Sequence, residues 1–374
     1  MTIRTAIIIF AVIFSIGILA IVILPFVLGV GPSSPRPGPS TEEPAAGIEQ
    51  GLFRSDDGGT SWQSKSWVEG SNATIAGFRV NQIVPDPVDP ATFYLLTDGN
   101  GLWISRSRGD LWAHVVDEAG ALEPTSNILA MAVNPRNRLE WYVAAFQKNR
   151  GSVLRSADGG RSFRAIYSVP AERYGVFDIH FDAGRGVIGI ATGQGGFLES
   201  SDQGRTWRVV RWFADGLVRL MVSPVNPSIR FVATSRGGLF RTQDYGASWV
   251  DVTGSYSDIT GTLKNQRWLM DQTGALYLGS RHGLLRSSDN GATFETPPII
   301  IPPDALPVLA IAVDPVNSRR ILVSANSQIF ESRDDGQHWA ILTSPAATVT
   351  KGHRVTALLM DAVERSVMYV MVQP

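Results

Sequence analysis

The chain has 374 residues, a formal net charge of -1, a pI near 6.5 and no cysteine. So even a balance lays down no broad basic field, which argues against nucleic acid as a partner. The missing thiols exclude disulfides, cysteine-ligated metals and a lipoprotein anchor.

Residues 1–5 are a short tail, followed by an almost wholly apolar run over 6–30, with no charge between Arg4 and Arg36. As a helix rising about 1.5 Å per residue, this run is about 37 Å long, enough to cross a hydrocarbon core of roughly 30 Å with some tilt. A cleavable signal peptide has an apolar core of about 7–15 residues closed by an A-x-A-like site. This run is longer and has no such site, so it reads as an uncleaved transmembrane signal anchor. Arg4 and the α-amino group precede it, whereas 31–44 carries one Arg and two Glu. That bias predicts a cytoplasmic N-terminus and an extracytoplasmic remainder, periplasmic or at the cell surface. The Pro/Ser/Gly-rich segment 31–47 is a semi-extended tether.

From 48 to 374 one turn motif recurs at intervals of 42 to 51 residues. Its fullest copy is Ser200, Asp202, Gly204, Thr206, Trp207. The others are Ser55/Asp57/Gly59/Ser61/Trp62, Ser156/Asp158/Gly160/Ser162/Phe163, Thr242/Asp244/Gly246/Ser248/Trp249, Ser287/Asp289/Gly291/Thr293/Phe294 and Ser332/Asp334/Gly336/His338/Trp339. A decayed copy lies at Ser105/Ser107/Gly109/Leu111/Trp112. Self-similarity at that period marks a solenoid or propeller.

Each unit resolves into four short strands rich in Val, Ile and Leu, broken by Asp-Pro, Asn-Pro or Asp-Gly turns. In 308–342 they are VLAIAVDP, RILVSA, QIFESRDDG and HWAIL. Four strands per repeat describe a propeller blade. The first motif lacks inner strands of its own, while 355–372 supplies two strands and no motif. Joining these halves predicts an all-β, seven-bladed β-propeller closed by pairing of its N- and C-terminal strands, which removes exposed edges.

The motif's chemistry is structural. Its Asp accepts hydrogen bonds from backbone N–H groups of its own turn, Gly supplies a positive φ, and the terminal Trp or Phe anchors the next strand inside the blade. No Glu follows at calcium-loop spacing, so no metal is expected at Asp57, Asp158, Asp202, Asp244, Asp289 or Asp334. The five His show no HxxxH or HExxH spacing, no Walker A loop or GxSxG elbow is present, and no cofactor is expected.

On these motifs the region 48–374 resembles the BNR, or Asp-box, repeat superfamily, which includes sialidases, xyloglucanases, sortilin-type receptors and photosystem II assembly factors. The resemblance implies a propeller but not an activity, since one such fold hosts unrelated functions. A sialidase likeness would imply three converging Arg, a Tyr nucleophile and a Phe-Arg-Ile-Pro segment before the first box. Here the nearest string is Phe78-Arg79-Val80-Asn81, which follows that box. Xyloglucanase-like enzymes resemble two propellers facing each other, and this chain has one. Assembly factors of photosystem II, with seven blades and no enzyme residues, are the nearer architectural parallel.

Candidate binding residues follow from register. Aligned on the polar residue that ends each inner strand, Arg79, Lys264 and Arg354 lie seven positions upstream, and Arg219 and Arg267 four. Inner strands line the channel, so these cations gather near one mouth, as a site for carboxylates or phosphates. The alternative is local pairing with Asp178, Asp271 or Asp361. Among the longer loops, 297–307 presents Ile299, Ile300 and Ile301 as a candidate partner surface. The reading is a membrane-tethered, non-catalytic propeller that binds a protein or peptide, possibly a membrane protein, in an assembly or scaffolding role. The alternative is an extracytoplasmic glycan-binding protein or glycosidase.

Overall fold

The computed structural model describes residues 50–301, 305–348 and 352–374. They build seven antiparallel blades, and the ring closes through the chain ends. In blade 1 the inner strands β27 (Arg354–Met360) and β28 (Met368–Gln373) are C-terminal, and the outer strands β1 (Gly51–Ser55) and β2 (Gln63–Ser64) are N-terminal. Gly51 pairs with Val372 and Ser55 with Met368 along the β1–β28 seam. Blade 2 holds β4 (Arg79–Pro85), β5 (Phe93–Asp98), β6 (Leu102–Ser105) and β7 (Leu111–His114), with β3 (Trp67–Val68) added in parallel to β7.

Blades 3 to 5 follow the four-strand plan. Blade 3 holds β8 (Asn127–Asn134), β9 (Asn137–Gln147), β10 (Arg150–Ser156) and β11 (Arg164–Ser168). Blade 4 holds β12 (Val176–Asp182), β13 (Val187–Thr192), β14 (Gly196–Ser200) and β15 (Arg208–Trp212). Blade 5 holds β16 (Leu217–Val222), β17 (Arg230–Thr234), β18 (Leu239–Thr242) and β19 (Val250–Asp251). Blade 6 has only β20 (Arg267–Met270), β21 (Leu276–Gly279) and β22 (Leu284–Ser287). Its expected fourth strand is reduced to a single bridge between Arg286 and Glu295, because Pro297 and Pro298 follow at once and cannot donate to a ladder. Blade 7 holds β23 (Val308–Val313), β24 (Ile321–Ala325), β25 (Gln328–Ser332) and β26 (Ala340–Leu342).

The core lies between blades. Side chains alternate across each strand, so consecutive residues serve opposite neighbours. Leu95 packs with Leu52, Trp112 and Tyr369 toward blade 1, while Leu96 packs with Ile128, Val133 and Trp141 toward blade 3. Both are fully buried, and each contributes about 1.5–3 kcal/mol by leaving water. The motif aromatics belong to these seams. Instead of anchoring their own blade's interior, as expected from sequence, Trp62, Trp112 and Trp207 donate Nε1 to Thr343, Lys65 and Ile166 carbonyls of the preceding unit. Trp249 packs on Phe197 and Phe213 of blade 4, and Trp339 on Ile299 and Ile301.

All six Asp boxes share one hydrogen-bond plan. In the box of blade 4, Ser200 Oγ donates to Asp202 Oδ1 at 2.8 Å and accepts from Gly204 N, while Thr206 donates its N–H to Asp202 Oδ1 and its hydroxyl to Oδ2. A side chain at Gly160 would strike the Trp141 ring at 2.1 Å, so the turn also needs glycine for close approach. In the decayed box Ser107 replaces the carboxylate and accepts from Leu111 N at 3.0 Å. His338 fills the hydroxyl position, with Nδ1 at 2.5 Å from Asp334 Oδ2.

A second repeated contact ties the ring together. The residue before the box Ser or Thr is Arg at 54, 155, 241 and 286, and each guanidinium reaches the box turn of the next blade. The contacts are Arg54 to Asp110 at 3.0 Å, Arg155 to Gln203 at 3.0 Å, Arg241 to the Asn290 carbonyl at 2.8 Å and Arg286 to Asp335 at 2.9 Å. In blade 4 this position is Glu199, and the fully buried Arg230 of blade 5 comes back to meet it and Asp182.

Among the described residues no helix is long and apolar enough to cross a membrane. The expected anchor and tether, 6–47, lie outside the described residues.

The pH dependence of stability follows from two sets of groups. Burial holds the His180 imidazole at about 4, below its ordinary 6.5, so the unfolded chain takes up its proton first as pH falls from about 6.5 to 4. Hydrogen bonds from the motif Ser and Thr, or from His338, hold the box carboxylates near 2, below 3.8. Their contribution is complete above the unfolded value and is lost as pH falls toward 2. Urea midpoints measured from pH 7 to 2 are therefore expected to fall in two stages, and His180→Gln should flatten only the upper one.

Candidate functional site

The inner strands run from one face of the ring, here the upper mouth, to the Asp-box face, the lower mouth. Six of the seven carry a β-bulge just after their start, at Asn81, Leu129, Phe177, Val218, Leu309 and Thr356. A bulge inserts one unpaired residue and re-aims its neighbours, a device common at barrel rims and beside sites. Here it leaves Phe177 39% and Val218 37% exposed at the upper mouth. Gly175 and Gly193 give Phe177 its room, since a Cβ at either would press on its ring or on Leu129. Asn81 uses its bulge to bond the next blade, donating Nδ2 to Asn127 Oδ1 at 2.7 Å and to the Ile128 carbonyl at 2.9 Å.

The five candidate cations all stand at this mouth, in two groups. Arg354 opens β27 of blade 1 and Arg79 opens β4 of blade 2, and Gln373 joins the two blades by donating to the Phe78 carbonyl at 3.1 Å. Arg219 lies in β16 of blade 5, Arg267 opens β20 of blade 6, and Lys264 sits in the connection between them. Blade 7 separates the groups on one side and blades 3 and 4 on the other. Blades 3 to 5 contribute the apolar residues Leu129, Phe177 and Val218 to the same rim.

Pairing divides the five. Arg219 lies 3.5 Å from Asp178, whose carboxylate is buried and also accepts N–H groups from Ile179 and Leu220. Burial raises the Asp178 pKa, and Arg219 opposes the rise. Arg79, Lys264, Arg267 and Arg354 are exposed and form no ion pair among the described residues. The Arg267 guanidinium donates to the Gln266 carbonyl at 3.1 Å. The other proposed counter-ions are at the wrong end of their strands. Asp271 accepts from Thr273 and Tyr277, and Asp361 pairs with Arg108, both toward the lower mouth.

The Ile299–Ile301 run is split by the fold. Ile299 and Ile301 pack under the chain against Trp339, Phe330 and Ala305, while Ile300 is 88% exposed. Alternation along this stretch turns two of the three inward, so a three-residue apolar surface does not form. Among the described residues no group of three His, Asp or Glu is arranged to hold a metal.

No family model matches the chain. A xyloglucanase of Paenibacillus sp. is 26% identical over 235 residues, which is 55% of this chain and 20% of the relative. A solved GH74 xyloglucanase of Xanthomonas campestris superposes with a TM-score of 0.63 at 20% identity, covering 79% of this chain and 51% of the enzyme. A solved YCF48 bound to D1 peptide superposes with a TM-score of 0.58 at 16% identity, covering 79% of this chain and 95% of that one. These structural likenesses show the fold. The chain spans about half of the solved enzyme and one fifth of the curated relative.

The pairing pattern separates structural from free cations. Arg219→Gln strands a buried carboxylate and is expected to cost about 1–3 kcal/mol in urea unfolding. Arg79→Gln and Arg354→Gln are expected to stay within about 0.5 kcal/mol of the parent.

Proposed function

We propose that this chain is a membrane-tethered, non-catalytic propeller whose upper mouth binds a protein or peptide segment carrying carboxylates or phosphates. The observation that carries the reading is the set of exposed, unpaired cations, Arg79, Lys264, Arg267 and Arg354, sharing a rim with Phe177 and Val218. Guanidinium forks match planar anions, and a flanking apolar surface adds contact area that a free ion would not use. A solved propeller that this chain covers almost end to end, YCF48, is bound to a peptide. The proposed anchor is 6–30, with the N-terminus cytoplasmic, the tether 31–47 outside and the propeller from 48 to 374 extracytoplasmic.

A second reading, a glycan-binding protein or glycosidase, is favoured by the 26% identity to a xyloglucanase.

The test is crosslinking and pull-down of the intact protein from its native membranes, beside an Arg79→Glu/Arg267→Glu/Arg354→Glu variant. A membrane protein captured by the parent and lost from the variant is the expected result. Capture unaffected by the variant would remove the upper mouth from the interaction, and release of sugars from xyloglucan by the parent would establish the second reading. Cleavage of the propeller by protease added outside intact spheroplasts is expected, and protection there would reverse the topology.

A further inference from the structure

Each outer strand runs away from its Asp box and the next inner strand starts at the upper mouth, so the connections between blades arrive on the upper face. Four successive connections each raise one bulky side chain there. Tyr174, Trp212 and Leu263 are 44%, 52% and 43% exposed, and Ile300 stands out between the inward-packed Ile299 and Ile301. Trp212 is the one exposed tryptophan among the described residues, and its ring lies over the start of β14, where a side chain at Gly196 would strike it at 2.7 Å. Side chains set apart on separate loops fit a broad surface better than a single anchor in a groove.

The charge of these loops gives that surface its sign. Arg173, Arg211 and Arg281 are exposed and, like Arg79, Lys264, Arg267 and Arg354, form no ion pair among the described residues. Arg173 and Arg211 directly precede Tyr174 and Trp212. Against these cations stand Asp98, Asp251 and Asp258. The other carboxylates of this side are paired, Glu123 with Lys148, Glu172 with Arg150, Asp215 with Arg236 and Asp178 with Arg219. Glu69 and Glu118 descend to Trp112 and Arg161 at the box ends of their neighbours, and Asp117 accepts from Phe163 N there. Positive charge interleaved with Trp and Tyr is the side-chain set of a membrane–water interface, where rings sit at headgroup level and cations meet lipid phosphates.

The entry point of the chain selects the same face. Gly51 opens β1 opposite Val372, and Arg354 opens β27 opposite Gln373, so the first described strand begins at the upper mouth. The segment 31–47 therefore joins the propeller on this side. As a coil, its 17 residues span roughly 21–25 Å r.m.s.. The seven residues of β27 are about 23 Å long, so turning the box face to a membrane would use up that span. The upper face meets the same membrane with slack to spare.

We propose that the upper face lies against the anionic bilayer that holds the anchor, with Tyr174, Trp212, Leu263 and Ile300 at headgroup level and the loop cations on lipid phosphates. The inference rests on the proposed anchor 6–30 and adds an orientation to it. It turns the channel rim toward the membrane surface, where a segment of a membrane protein emerges.

The absence of cysteine allows one label per molecule. An NBD fluorophore is attached at Ile300→Cys, Ala214→Cys, Val316→Cys or Ser15→Cys in the full chain, held in phosphatidylcholine nanodiscs with or without phosphatidylglycerol, and quenching by doxyl lipid is read. In anionic discs the labels at 300 and 214 are expected to be quenched at least about twofold more than the label at 316, on the box face. Salt at about 0.5 M should remove that difference. Arg173→Glu/Arg211→Glu/Arg281→Glu should abolish it with an unchanged melting curve, and Arg319→Glu/Arg365→Glu should leave it intact. Loop labels no more quenched than the 316 label, beside a quenched Ser15→Cys label, would overturn the inference and leave the anchor standing. An unquenched Ser15→Cys label would remove the anchor and the inference with it. Equal loop quenching in neutral discs, or shielding of the loop labels found only in native membranes, would also overturn it, the second in favour of a protein cover.

Discussion

Each blade is a sheet with two apolar faces, and neither can be covered from within the blade. Every sheet must therefore lie between two others, and only a closed ring satisfies all seven. The alternation of Leu95 and Leu96 toward opposite neighbours is that constraint at the level of two residues. Closure through the β1–β28 seam follows from it, since an open row would leave two wet apolar faces and two unpaired edges. The Arg54, Arg155, Arg241 and Arg286 contacts act in the same direction, each tying a blade to its successor's box turn.

This division of labour decides where function can sit. The Asp-box carboxylates are bonded within their own turns, and the seams are filled by buried side chains. At both ends of the inner strands side chains remain outside these two roles. At the upper mouth bulges turn Phe177 and Val218 outward beside unpaired cations. At the lower mouth the first turns raise Val88, Val225, Val316 and Val363 into solvent. The two mouths of the ring are built differently, and at the lower one Asp86, Asp271 and Asp361 accept hydrogen bonds from the N–H groups of their own turns.

The repeat, the four-strand unit and the closing seam were legible in the sequence because box spacing and Asp-Pro turns report directly on backbone geometry. The inner-strand starts at Arg79, Arg267 and Arg354 were legible for the same reason, whereas Lys264, read into the same slot, lies in the connection before β20. The division of the cations into two groups was not legible, because it depends on blade order around the ring. The bulges left a trace in the paired apolar residues Ile128-Leu129, Val176-Phe177, Leu217-Val218 and Val308-Leu309, where strict alternation fails. The inter-blade arginines left another, an Arg before the box Ser or Thr in four repeats. Asp178 was the one counter-ion anticipated correctly. Asp271 and Asp361 were misplaced because sequence proximity along a strand ignores which end of it faces which mouth. The inward turn of Ile299 and Ile301 depends on Trp339 and Phe330, some thirty to forty residues away, and no local pattern announces it.

On the proposed function, the upper mouth meets a protein. A photoreactive phenylalanine analogue placed at Phe177 in the intact protein, activated in native cells and read by mass spectrometry, tests this most directly. Crosslinks to one protein chain, concentrated on a segment rich in Asp, Glu or phosphate, are the predicted result. Crosslinks to glycan, or none while binding partners are captured elsewhere on the ring, would contradict it.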